Sequence, residues 1–100
     1  MLLERRKVSR KTPGDGRLEI TKRSAQKCEK LGARFGVELG RRRIRARLGT
    51  MPCTCRGADN PHVHYFLEGP ALKALVAGTE VNLELDVTRR LVRVVSSPAD

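Results

Sequence analysis

The chain has 100 residues, of which 39% are hydrophobic, 32% are charged and only three are aromatic. This length suits one domain with a modest core. Because the sequence has no long apolar run, we expect it to contain neither a membrane span nor a signal peptide. We therefore expect an intracellular protein without a membrane partner. Its small size is compatible with a part in a larger multidomain protein or complex. The formal net charge of +10 is typical of proteins that bind polyanions.

The excess charge lies in the first half of the chain, where residues 1–50 carry 16 basic and 5 acidic side chains, a net of +11. Residues 1–16, MLLERRKVSRKTPGDG, have almost no apolar spacing and end in Pro and two Gly, which predicts a flexible basic arm. Residues 17–96 then form a single β-rich domain, and residues 97–100 form a frayed tail.

Within the domain, residues 17–21 are predicted to form a strand. A helix follows, with Ser24 as its N-cap, Gly32 as its end and an apolar stripe that includes Cys28. Residues 34–39 and 43–48 alternate apolar and polar side chains, which is the pattern of half-buried strands.

After residue 60 the segment HVHYFLE is extended, and a second short helix begins at Gly69-Pro70 and ends at Gly78. Residues 81–87 and 91–95 are the closing strands. The order of elements predicts an α+β fold that is mostly β, a small open β-barrel or pseudobarrel of about six or seven strands with two short helices.

A dense cluster of metal-binding residue types lies in CTCRGADNPHVH: Cys53, Cys55, His62 and His64. In extended chain, residues i and i+2 project to the same side, so the two pairs converge if their arms face each other. Two thiolates and two imidazoles are a common ligand set for a structural zinc ion. Single-residue spacers depart from the usual zinc spacings, so small buried cysteines beside histidines at a polar edge remain an alternative.

A Cys and His nucleophilic site is the third interpretation of this cluster, but it needs an orienting group and an oxyanion pocket that the sequence does not reveal. The sequence also lacks paired carboxylates, a Gly-rich phosphate loop and a complete triad. We therefore expect no enzymatic activity.

The segment RRRIRAR, residues 41–47, is the second informative stretch. Arg43, Arg45 and Arg47 would stand about 6.6 Å apart on one strand face, close to the phosphate spacing of a nucleic-acid strand. A solvated face that keeps the sheet soluble is the competing interpretation. The predicted nucleic-acid-binding residues are Lys22, Arg23, Arg41, Arg42, Arg43, Arg45 and Arg47.

Residues 18–32, LEITKRSAQKCEKLG, and 64–86, HYFLEGPALKALVAGTEVNLELD, resemble the DNA-binding pseudobarrel superfamily. That superfamily includes plant B-three transcription-factor domains and effector domains of certain restriction endonucleases. The resemblance implies an open barrel that grips the DNA major groove with two loop arms, one of them matching residues 21–24. The CTC and HVH cluster departs from the family pattern, and the Gly turn before an alternating strand is also similar to swapped-hairpin transition-state regulators.

These observations together predict a nucleic-acid-binding domain that binds double-stranded DNA and is stabilised by a structural zinc. A small basic protein that binds RNA or associates with ribosomes is the first alternative. A zinc-stapled protein-interaction module, with its partner surface on the neutral second half, is another.

Overall fold

The computed structural model describes residues 1–32, 34–53 and 62–96. The fold is mostly β, a seven-stranded sheet curled into a half-barrel with two helices, which confirms the predicted fold class. The elements in chain order are β1 (Leu2–Lys7), α1 (Lys11–Asp15), β2 (Arg17–Ile20), α2 (Lys22–Glu29), β3 (Phe35–Leu39), β4 (Arg42–Cys53), β5 (His62–Glu68), a 3-10 helix (Pro70–Ala74), β6 (Glu80–Asp86) and β7 (Leu91–Ser96).

The strand order in the sheet is β1-β6-β7-β3-β4-β5-β2. The β3–β7 pair is parallel and the other pairs are antiparallel. Because side chains alternate along each strand, the sheet has an inner face that holds the core and an outer face that is largely polar. The core includes Leu18, Val37, Leu67, Leu83 and Val92, all at most 1% exposed.

Helix α2 begins one turn earlier than the sequence predicted. Thr21 is the N-cap, in extended conformation, and its hydroxyl accepts the Ser24 backbone N–H at 3.2 Å. The predicted cap, Ser24, lies inside the helix and is buried. The predicted apolar stripe is buried as expected, and burial raises the pKa of the Cys28 thiol to about 11.

Residues 1–16 belong to the fold, not to the flexible arm that the sequence predicted. Strand β1 pairs with β6 from Leu2 opposite Glu84 to Lys7 opposite Glu80. Val8 is 2% exposed, and its carbonyl accepts the Gly78 N–H at 2.8 Å. The charged outer face of this edge strand obscured its alternation, because edge strands tolerate charge on the side that faces water.

The second of the two predicted helices, which was expected to run from Gly69-Pro70 to Gly78, is shorter in the structure. Only Pro70–Ala74 is helical, as a 3-10 helix with Leu72 buried, and Leu75 is already extended. Val76, which lies within the predicted helix, is 66% exposed. The predicted tail, residues 97–100, lies outside the described residues.

Glu4 joins β1 to α2 across the open side of the half-barrel. Its carboxylate accepts the Thr21 backbone N–H at 2.9 Å and lies 3.0 Å from Arg6 Nε. Burial alone would raise the pKa of Glu4, but the Thr21 and Ser24 hydrogen bonds and the Arg6 charge together lower it.

Replacing Glu4 with Gln is therefore expected to reduce the free energy of unfolding at pH 7 by about 1–2 kcal/mol, since charge-assisted hydrogen bonds are lost. The depressed pKa means that the carboxylate stabilises the fold above its ordinary pKa of 4.5, and that this contribution fades as the pH falls through the folded-state value. Urea denaturation should show that the free energies of unfolding of the two proteins converge at acidic pH. A difference in free energy of unfolding that stays constant between pH 7 and pH 3 would contradict this role.

Candidate metal centre and cationic face

Strands β4 and β5 build both candidate sites. Their antiparallel pairing runs without a shift from Arg47 opposite Glu68 to Cys53 opposite His62, so the two predicted extended arms do face each other. Strand β4 is longer than the predicted 43–48 because β5 keeps pairing with it beyond Leu48. The odd-numbered residues of β4 and the even-numbered residues of β5 share the outer face.

Three of the four predicted metal ligands come together, and we call Cys53, His62 and His64 the Cys/His cluster. One ligand atom from each lies within 4.8 Å of the others, at half-buried positions. The His62 and His64 Nε2 atoms are 3.2 Å apart. Two nitrogens bound tetrahedrally to zinc would be about 3.3 Å apart, given the usual Zn–N bond length. The fourth predicted ligand, Cys55, lies outside the described residues.

Glu19 is a fourth member of this neighbourhood that the sequence did not reveal. It reaches from β2, where it pairs with Phe66 of β5, and its Oε2 lies 2.7 Å from His64 Nδ1. A carboxylate at Nδ1 holds the proton there and leaves Nε2 free to bind a metal ion. The hydrogen bond that His64 donates to Glu19 is also the main reason that the pKa of His64 lies above its usual value, and Cys53 adds to the rise.

The predicted alternation of the arginine-rich strand is confirmed. Arg43, Arg45 and Arg47 are exposed on the outer face, whereas Ile44 is half-buried and Ala46 is 6% exposed on the inner face. The three guanidinium groups therefore project from one side of β4.

Arg45 lines two open clefts. The first, which we call the Lys73 cleft, has a volume of about 540 Å³. The second, the Arg90 cleft, has a volume of about 580 Å³ and lies between β3, β4 and the β6–β7 turn. The charged residues that line the Lys73 cleft are Asp15, Arg17, Arg34, Arg45, Arg47, Glu68 and Lys73, and those that line the Arg90 cleft are Arg34, Arg43, Arg45 and Arg90.

Part of this charge is compensated. Glu68 lies 3.1 Å from Arg47 Nε and 3.4 Å from Arg17 Nε. Gly49 leaves the space for the Glu68 carboxylate, since a Cβ at this position would overlap it. Within the parts of the chain that the structure describes, Arg45 makes no ion pair, so its charge faces both clefts without a carboxylate partner.

The remaining predicted nucleic-acid-binding residues are not gathered beside Arg45. Lys22 and Arg23 lie in the first turn of α2, and Lys22 lines a separate cleft together with His62 and His64. Arg41 and Arg42 are exposed where β3 turns into β4. The basic residues form a central group on β4 and two outlying pairs.

The chain matches no protein-family model, no curated protein and no solved structure. Across the described residues, the structure contains no helix that is long and apolar enough to cross a membrane.

Proposed function

We propose that this protein binds nucleic acid through the phosphate backbone, and that the ligand lies across Arg45 and the two clefts beside it. The observation that carries the proposal is the charge of the cleft linings. Of the residues that the structure describes, seven cationic side chains and two carboxylates line the two clefts together. We call this surface the cationic face.

The geometry of β4 suits a chain of phosphates. Alternate residues stand about 6.6 Å apart along a strand, which matches the spacing between neighbouring phosphates. Arg43 is held in place because its Nη2 donates to the Arg89 carbonyl at 2.9 Å. One guanidinium group can bind two phosphate oxygens at once, so a row of arginines favours a polyanion over scattered small anions.

Duplex DNA is the ligand that we favour. Single-strand binding surfaces rely on several exposed aromatic rings for base stacking. Here Phe35 is buried and Tyr65 packs against the core, which leaves Phe66 on the outer face. Phe66 is the specific observation in favour of the RNA alternative, and competition between duplex DNA and RNA of the same sequence would separate the two.

A salt titration tests the proposal directly. If three to five phosphates are neutralised, the logarithm of the affinity for a 20-base-pair duplex should fall against the logarithm of salt concentration with a slope of about −3 to −5. Fluorescence anisotropy between 50 and 300 mM NaCl measures that slope. Binding that does not depend on salt, or no binding at the lowest concentration, would refute the proposal.

We further propose that the Cys/His cluster, completed by Cys55, holds a structural zinc ion. The 3.2 Å separation of the two Nε2 atoms and the carboxylate on His64 Nδ1 support this. Such an ion would cross-link the ends of β4 and β5 in a small domain whose core holds few aromatic side chains. A folded, metal-bound protein without nucleic-acid affinity would instead favour the protein-interaction module.

A further inference from the structure

We infer that the Arg90 cleft binds the terminal phosphate at the end of a nucleic-acid strand. This inference rests on the proposed function and specifies which part of the ligand the cationic face binds most tightly. Among the described residues that line this cleft, Arg34, Arg43, Arg45 and Arg90 carry guanidinium groups and none carries a carboxylate.

The carboxylate that lies opposite Arg43 in the sheet is engaged by other arginines. Glu38 pairs with Arg43 across β3 and β4, but its Oε1 lies 3.1 Å from Arg93 Nε and its Oε2 lies 3.8 Å from Arg89 Nη2. These two arginines neutralise Glu38, which is not among the residues that line the cleft. The positive charge of the cleft is therefore largely retained for a ligand.

The backbone of Arg90 supports a binding role for its side chain. Its φ angle is 53°, in the left-handed region where Gly and Asn are favoured and an arginine costs conformational energy. Gly36 lines the same cleft, and a Cβ there would lie 3.0 Å from Arg43 Nε, so that side chain would have to shift by a few tenths of an ångström. The arginine with a positive φ at position 90 and the glycine within a strand at position 36 thus both favour arginine side chains at this cleft.

The number of guanidinium groups fits a terminal phosphate better than an internal one. An internal phosphodiester carries one negative charge and two free oxygens. A terminal phosphomonoester carries a charge of about −1.5 to −2 and three acceptor oxygens. Several bidentate arginines can therefore bind a terminal phosphate together, whereas one or two saturate an internal phosphate.

The test compares three duplexes of one sequence that carry a 5′-phosphate, a 3′-phosphate or hydroxyl groups only. We expect one of the two phosphorylated forms to bind at least tenfold more tightly than the hydroxyl form at 150 mM salt. In the Arg90→Asn variant this ratio should fall to near one. Asn suits the left-handed backbone, so thermal unfolding should show that the variant is at least as stable as the original protein.

Lys73→Gln is the matched control, since Lys73 lines only the other cleft. It should weaken binding of all three duplexes by the same factor and leave the ratio intact. Salt-dependent binding that ignores terminal phosphates would overturn this inference but not the proposed function. Absence of binding to every duplex would overturn both.

Discussion

Chelation of the zinc-loaded protein is expected to lower its melting temperature by about 15–30 °C. A ligand present at a thousand times its dissociation constant contributes about 4 kcal/mol to folding. In a domain of this size, each kcal/mol corresponds to about 4–8 °C. Differential scanning fluorimetry with and without chelator measures the shift, and elemental analysis of the untreated protein should give one zinc per chain.

Variants separate a metal site from a coincidental cluster. Cys53→Ser should abolish stoichiometric zinc, and Glu19→Gln should weaken zinc binding by about 10- to 100-fold, because Glu19 orients the His64 ring. Cys28→Ala is the control, since it removes a buried thiol on α2 that is not a member of the cluster. It should lower stability through a cavity and leave the zinc content unchanged.

The competing explanation is a direct hydrogen bond between the two histidines. Since Glu19 fixes a proton on His64 Nδ1, a proton on His62 Nε2 would satisfy the 3.2 Å contact without any metal ion. In that case the purified protein would contain no zinc, and chelation would leave the melting temperature unchanged. Either result would refute the metal site.

Replacing Arg45 with Glu is expected to weaken duplex binding by about 10- to 100-fold at 100 mM salt. The loss of a charge-assisted hydrogen bond of 1.5–3 kcal/mol accounts for this range. Arg45 is the chosen position because it lines both clefts. The slope of the salt titration should also become shallower by about one.

Arg5→Glu is the matched control for this experiment. Arg5 is also exposed on a strand, but it lies on β1, at the opposite edge of the sheet order from the β4–β5 region. The net charge changes equally in the two variants, so only position differs. Equal losses of affinity would show that total charge governs binding, and the cationic face would then have no special role.

Local pattern accounts for the parts of these sites that were predicted from the sequence. The alternation in RRRIRAR predicted three arginines on one face, and the single-residue spacers of CTC and HVH predicted that each pair of ligands projects to one side of its arm. Both depend on the two-residue period of a strand, which is a local property. The short core strands were predicted for the same reason.

Residues that meet through distant pairing were missed. Glu19 reaches His64 because β2 pairs with β5, and Glu68 neutralises Arg47 from a strand 21 positions later. Arg90 joins Arg45 at a cleft only because β7 lies beside β3. Such contacts are set by strand order, which one sequence does not reveal.

The two sites share a single face of β4, since Arg45 and Cys53 are both odd-numbered residues on one regularly paired strand. A slip of one residue against β5 would turn every arginine of that row towards the core and place Pro52 instead of Cys53 opposite His62. A zinc ion that cross-links the far ends of β4 and β5 would therefore fix the register of these two strands. It would thereby determine which face of the sheet carries the arginines without contacting the nucleic acid.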